Sequence, residues 1–124
     1  MRKVLVADDE HNIRHILDFS LHAEGFDVIS AHNGEDAFTL AVSELPDLII
    51  LDVMMPGQGG IETCERLKAD ERTAQIPVVL LTARSSREDR KAGEAAGADD
   101  YITKPFSPLK VIETVQSLLG AAHQ

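Results

Sequence analysis

The chain has 124 residues, 44% of them hydrophobic and 27% charged, which fits one globular domain long enough to bury a core. Its 21 acidic side chains against 12 lysines and arginines give a formal charge of −9, so direct nucleic-acid binding is not expected, because phosphate backbones attract the opposite sign. No apolar run approaches membrane-spanning length, the start MRKVLVADD is too short in apolar residues for a secretory signal, and the lone Cys64 excludes an internal disulfide, so a cytoplasmic setting is expected.

In chain order, the first apolar run, KVLVA (3–7), leads straight into Asp8, Asp9 and Glu10. Two carboxylates roughly 4 Å apart repel by about 4 kcal/mol at an effective dielectric near 20, so this cluster needs a counter-charge. A helical period follows, with Ile13, Ile16, Leu17, Ser20 and Leu21 on one face. The opposite stripe holds His11, His15, Asp18 and His22 and reads as a solvated polar face, with adventitious zinc binding as the alternative. Phe19 flanks that stripe; burial against a neighbouring helix and contact with a partner are equally open readings.

Gly25 and Asn33-Gly34 bracket the second run, DVISA (27–31), as turns or caps. Ala37, Leu40 and Ala41 mark a second helix; DLIILD (47–52) is the third run. Ile61, Cys64 and Leu67 mark a third helix, in which Cys64 reads as a small core residue. After PVVLLTA (77–83) comes RSSREDRK (84–91), either a solvated face or an output surface, within a helix over 86–96. Gly93 and its charge should make that helix the least stable. DYITK (100–104) is the last run, and Val111, Ile112, Val115, Leu118 and Leu119 stripe the last helix. A domain over 1–120 with a short tail, 121–124, is expected.

Near-continuous Val, Ile and Leu in the first, third and fourth runs suits strands covered on both faces. Strict alternation of strands and helices implies a doubly wound, five-stranded parallel sheet, ordered 2-1-3-4-5, with helices on both faces. Sites in such sheets form beyond the carboxyl ends of the strands. Asp8 and Asp9 end the first strand, Asp52 the third, Thr82 the fourth and Lys104 the fifth, so all five fall on one edge. Any one of them alone would read as a cap or turn residue; five together read as a site. Three carboxylates suit Mg²⁺, or Mn²⁺, which takes a few acidic ligands plus phosphate oxygens. Lys104 and Thr82 suit phosphoryl oxygens, by charge and by hydrogen bond. Asp52, in the central strand, is then the candidate nucleophile, forming an aspartyl phosphate.

Taken together, VADDE (6–10), PDLIILDVMMPGQGGIE (46–62), PVVLLTA (77–83) and GADDYITKPF (97–106) resemble the receiver domain of two-component response regulators over essentially the whole chain. The resemblance implies a flavodoxin-like α/β fold. It implies Asp52 as phosphoacceptor, and Asp9, Asp52 and the backbone carbonyl of Met54 as Mg²⁺ ligands, with Asp8 acting through water. Lys104 corresponds to the phosphate-binding lysine, Thr82 and Tyr101 to the switch pair, and Lys104–Pro105 to a cis bond. Met54 and Arg84 match the positions that tune phosphoryl lifetime. The implied partners are a histidine kinase or histidine phosphotransfer protein, with Asn12, Phe19 and Phe106 as docking candidates, and an output protein contacted by the last strand and its flanking helices. The stretch 82–108 also resembles the winged-helix transcription-factor branch, but the matching dimer positions hold Lys110 and Thr114 in place of the usual Glu and Arg. A monomer or weak dimer is therefore expected.

Among rival functions, a haloacid-dehalogenase-type phosphohydrolase needs a second Asp two residues after the nucleophile, where this chain has Met54. A flavin carrier needs a phosphate-cradling first loop, which DDEHN would repel. A degenerate receiver that only binds a partner would not need all five pocket residues. A switch without turnover of an external substrate is the resulting expectation.

Overall fold

The computed structural model describes residues 2–83 and 87–120. Ten elements alternate: β1 (Lys3–Ala7), α1 (His11–Ala23), β2 (Asp27–Ala31), α2 (Gly34–Glu44), β3 (Leu48–Asp52), α3 (Gly60–Ala69), β4 (Val78–Ala83), α4 (Arg87–Ala96), β5 (Asp100–Lys104) and α5 (Pro108–Gly120). The five strands are parallel and ordered β2-β1-β3-β4-β5, as the alternation of the sequence implies. β3 and β4 begin one residue later than the apolar runs suggest. Asp47 is used instead as a clip: its N–H donates to the Lys3 carbonyl at 2.8 Å, and its carboxylate accepts from the Lys3 N–H at 2.8 Å.

Each face of the sheet carries its own core. Leu5, Ala7, Ile49, Leu51 and Leu80 point toward α2, α3 and α4, meeting Ala37, Ala41, Cys64, Leu67 and Ala96. Val4, Val6, Leu48, Ile50, Val79 and Leu81 point the other way, onto Leu17 and Leu21 of α1 and Val111, Val115 and Leu119 of α5. All of β3 is buried on both faces, which is why its run lacks alternation. Cys64 is a core thiol, pushed up to about 11 by that burial.

The first helix uses only part of its expected apolar face. Leu17 and Leu21 are fully buried, but Ile16 is 41% exposed. Phe19, at 72% exposure, is not covered by a neighbouring helix, so of its two readings burial fails. The His11, His15, Asp18 and His22 stripe is exposed throughout. The cap of α1 is Glu10 rather than Asp9, and its side chain makes no capping hydrogen bond. The predicted tail, 121–124, and the first residues of the charged run, including Arg84, lie outside the described residues.

One glycine fixes how β3 hands over to α3. A Cβ on Gly60 would collide with the carbonyl of Asp52, while its N–H donates to the Val53 carbonyl at 3.1 Å. The loop after Asp52 therefore folds back directly beneath that residue.

Candidate functional site

The carboxyl ends of β1, β3, β4 and β5 converge, and the polar residues of the sequence meet there. The register sets Asp52 opposite Leu81, and Thr82 opposite Thr103, on adjacent strands. Asp8 is fully buried and Asp52 is 4% exposed, whereas Asp9 and Glu10 lie in the exposed loop above them. One carboxylate oxygen from each of Asp8, Asp9, Glu10 and Asp52 falls within 4.8 Å of the others. Four acids against a nearby lysine leave the pocket short of positive charge.

Lys104 is that lysine. Its Nζ donates to Asp52 Oδ2 at 3.0 Å, lies 3.2 Å from Asp8 Oδ2, and lies 3.6 Å from Glu10 Oε1. The Asp8 contact is an ion pair, and among the described residues the buried Asp8 Oδ2 has no other polar partner. Burial pulls the Lys104 ammonium down, but its hydrogen bond to Asp52 and the charges of Asp52 and Asp8 outweigh that and shift it upward. Asp52 moves from 3.8 to about 6: burial is the main cause and Asp8 adds repulsion, against the pairing with Lys104 and the N–H of Met54. The Met54 N–H donates to Asp52 Oδ1 at 3.2 Å, and the Met54 side chain projects outward, 71% exposed.

The acidic loop is held by backbone and side chain together. Asp8 Oδ1 accepts the Glu10 N–H at 2.9 Å, and the Asp8 carbonyl accepts from Arg14 Nη1 at 2.7 Å. This donor set fits a hard divalent cation: four carboxylates converge within 4.8 Å, and one lysine alone faces them among the described residues.

Thr82 Oγ1 and Tyr101 Oη are buried, and among the described residues neither hydroxyl has a hydrogen-bond partner. A buried polar group left unpaired costs about 1–3 kcal/mol, so both would gain from a new partner. The Tyr101 ring packs against α4, where a Cβ on Gly93 would come within 2.8 Å of its Cε1. The Arg90 guanidinium sits 5.0 Å over the same ring. Burial shifts the Tyr101 phenol upward. The Lys104–Pro105 bond is cis.

In front of the acids opens a groove of about 800 Å³, lined by Asp9, Glu10, Asp52, Met54 and Lys104 on one side. Ile13, Ile16, Phe106 and Pro108 form its apolar wall. Of the docking candidates, Phe106 lines the groove, while Asn12 and Phe19 are exposed on α1 outside it. The sequence reading did not assign Glu10, Arg14 or the Ile13–Ile16 wall. Their signals were present: Glu10 adjoins the acid pair, and Ile16 sits where the apolar stripe meets the loop.

The family profile described as "Response regulator receiver domain" matches residues 4–116. Among solved structures, a protein described as a response regulator from Chloroflexus aurantiacus J-10-fl is 34% identical, with 96% of this chain and 98% of that one covered at a TM-score of 0.91. The chemotaxis protein CheY4 of Vibrio cholerae is 33% identical over 95% of this chain and 98% of its own, at 0.90. The receiver domain of a signal transduction histidine kinase from Syntrophus aciditrophicus is 33% identical over 98% and 92%, at 0.91.

Proposed function

We propose that this chain, which belongs to the response regulator receiver domain family, is a phosphorylation-dependent switch whose Asp52 takes a phosphoryl group from the phosphohistidine of a histidine kinase or histidine phosphotransfer protein. The observation that supports it most is the setting of Asp52: buried, at the end of the central strand, held by Lys104, and facing an open groove. With its carboxyl at about 6, Asp52 is mostly ionised near neutral pH and still more basic than an ordinary aspartate. Its oxygen attacks phosphorus, the P–N bond to the imidazole breaks, and the electron pair stays on the imidazole nitrogen.

Lys104 exchanges carboxylate partners for a phosphoryl oxygen, and the unpartnered Thr82 hydroxyl donates to another. Mg²⁺, or Mn²⁺, held by Asp8, Asp9, Asp52 and the Met54 carbonyl, would supply the remaining positive charge. Thr82 moving toward the phosphoryl group frees space beside Tyr101, whose ring already packs against α4 at Gly93. The surface of α4, β5 and α5 changes with it and regulates an output partner, a local charge event biasing a two-state element. Met54 occupies the place where a phosphohydrolase would need an acid, which favours a long-lived phosphoryl group over turnover.

Acetyl phosphate with Mg²⁺ should add one phosphoryl group to the wild-type protein and none to Asp52→Asn, as read by intact mass. A phosphorylated Asp52→Asn protein would place the acceptor elsewhere. The activated protein should also stay monomeric or dimerise weakly. Lys110 is exposed on α5, and the Thr114 hydroxyl is turned back onto the Lys110 carbonyl at 2.8 Å, so neither supplies the usual interfacial pair. Exposed pairs are worth about 0.2–1 kcal/mol each, and losing two or three per symmetric interface weakens association roughly tenfold or more. Sedimentation with beryllofluoride checks this; a tight dimer formed only on activation would restore the transcription-factor mode.

A further inference from the structure

We propose that Glu10 is a specificity-determining residue for phosphoryl transfer: it acts as a charge filter that slows free anionic donors and favours a donor carrying a cation beside its phosphoryl group. The inference rests on the reading of Asp52 as phosphoacceptor and adds to it which donors are preferred.

Glu10 stands at the groove mouth beside Asp9 and Asp52, with its side chain 61% exposed. Among the described residues the side chain makes no hydrogen bond that builds the loop. The backbone N–H of Glu10, not its carboxylate, ties to Asp8 Oδ1, and the carboxylate caps nothing on α1. Among the described residues its one ion-pair contact is Lys104, at 3.6 Å, where it competes with Asp52 at 3.0 Å and Asp8 at 3.2 Å. Glu10 therefore opposes a bare phosphodonor twice with the same sign. It repels the incoming negative charge, and it retains part of the ammonium that the phosphoryl oxygens need.

Once Lys104 turns to the phosphoryl group, the Glu10 carboxylate loses that partner while lining the groove the donor occupies. Arg14, on the same helix, is engaged with the Asp8 carbonyl at 2.7 Å. A donor with a positive charge next to its phosphoryl group removes both penalties by pairing with Glu10. A basic side chain flanking a phosphohistidine is the protein form of that chemistry.

Two small donors separate the effects. Acetyl phosphate is a dianion near neutral pH, whereas phosphoramidate carries a protonated nitrogen beside its phosphoryl group. At saturating Mg²⁺, Glu10→Gln should be phosphorylated by acetyl phosphate roughly two- to fivefold faster than wild type, the scale of an exposed charge pair. The gain with phosphoramidate should be smaller, and Glu10→Lys should widen the contrast. Glu10→Asp, which keeps the charge, should remain within about twofold of wild type on the same scale. All gains should shrink as added salt shortens screening from roughly 10 Å at 0.1 M to roughly 3 Å at 1 M, which a purely structural effect would not do. Equal or slower labelling of Glu10→Gln, an equal gain with both donors, or a salt-independent gain would overturn the filter. A wild-type protein that neither donor labels would instead overturn the assignment of Asp52, and the filter with it.

Discussion

Replacing Lys104 by Met is expected to lower the stability of the metal-free protein by about 2 kcal/mol, or roughly 5–10 °C in melting temperature. The ammonium touches Asp52, Asp8 and Glu10 within 3.6 Å, and two of those carboxylates are almost completely buried. Removing it leaves buried like charges without compensation, the case in which breaking a pair costs about 3–5 kcal/mol. Lys104 keeps 24% of its side-chain exposure, so solvent screens part of that and the smaller figure applies. Mg²⁺ supplies the missing charge in the same pocket and should stabilise Lys104→Met more than it stabilises wild type. Thermal melts with chelator and with excess Mg²⁺ read both quantities. An unchanged melting temperature with chelator would mean that Lys104 does not neutralise the acids.

The opposite substitution should stabilise. Asp52→Asn at pH 8 without metal should be more stable than wild type by about 1–3 kcal/mol. The sign follows from linkage. The Asp52 carboxyl is raised from 3.8 to about 6 in the folded state, chiefly by burial, so the folded protein binds this proton more tightly than the unfolded chain. Stability therefore falls as pH rises from about 4 to about 6, and the ionised carboxylate penalises the fold above that. Asparagine removes the penalty without stranding Lys104, which keeps Asp8 and Glu10. The advantage of Asp52→Asn should vanish near pH 4, where the wild-type carboxyl is protonated when folded. Melts at pH 4 and pH 8 check it; a variant less stable than wild type at pH 8 would show that the Lys104 pairing outweighs the desolvation.

Much of the architecture was legible because its signals are local. The buried β3 run, the Asn33 cap, whose side chain accepts the Asp36 N–H at 2.8 Å, and the α5 stripe each follow from residues close in sequence. The convergence of Asp8, Asp52, Thr82 and Lys104 followed from topology alone, since parallel strands place their carboxyl ends on one edge. What the sequence did not reveal depends on distances between elements. That Ile16 lines a groove instead of the core depends on how α1 tilts against the β5–α5 loop. That Glu10 shares Lys104 depends on the reach of one side chain across the pocket. Phe19 was ambiguous for the same reason, since no periodicity tells a helix residue whether a neighbour will cover it.

The central claim is that Asp52 carries the phosphoryl group as an acyl phosphate, and one measurement addresses it directly. After incubation with Mg²⁺ and a phosphorylated donor, reduction with borohydride converts an aspartyl phosphate to homoserine, and peptide mass spectrometry locates it. Homoserine at position 52, and at no other acid of the pocket, is the predicted result. Homoserine at Asp8 or Asp9, or none anywhere in a protein that has gained phosphoryl mass, would contradict it.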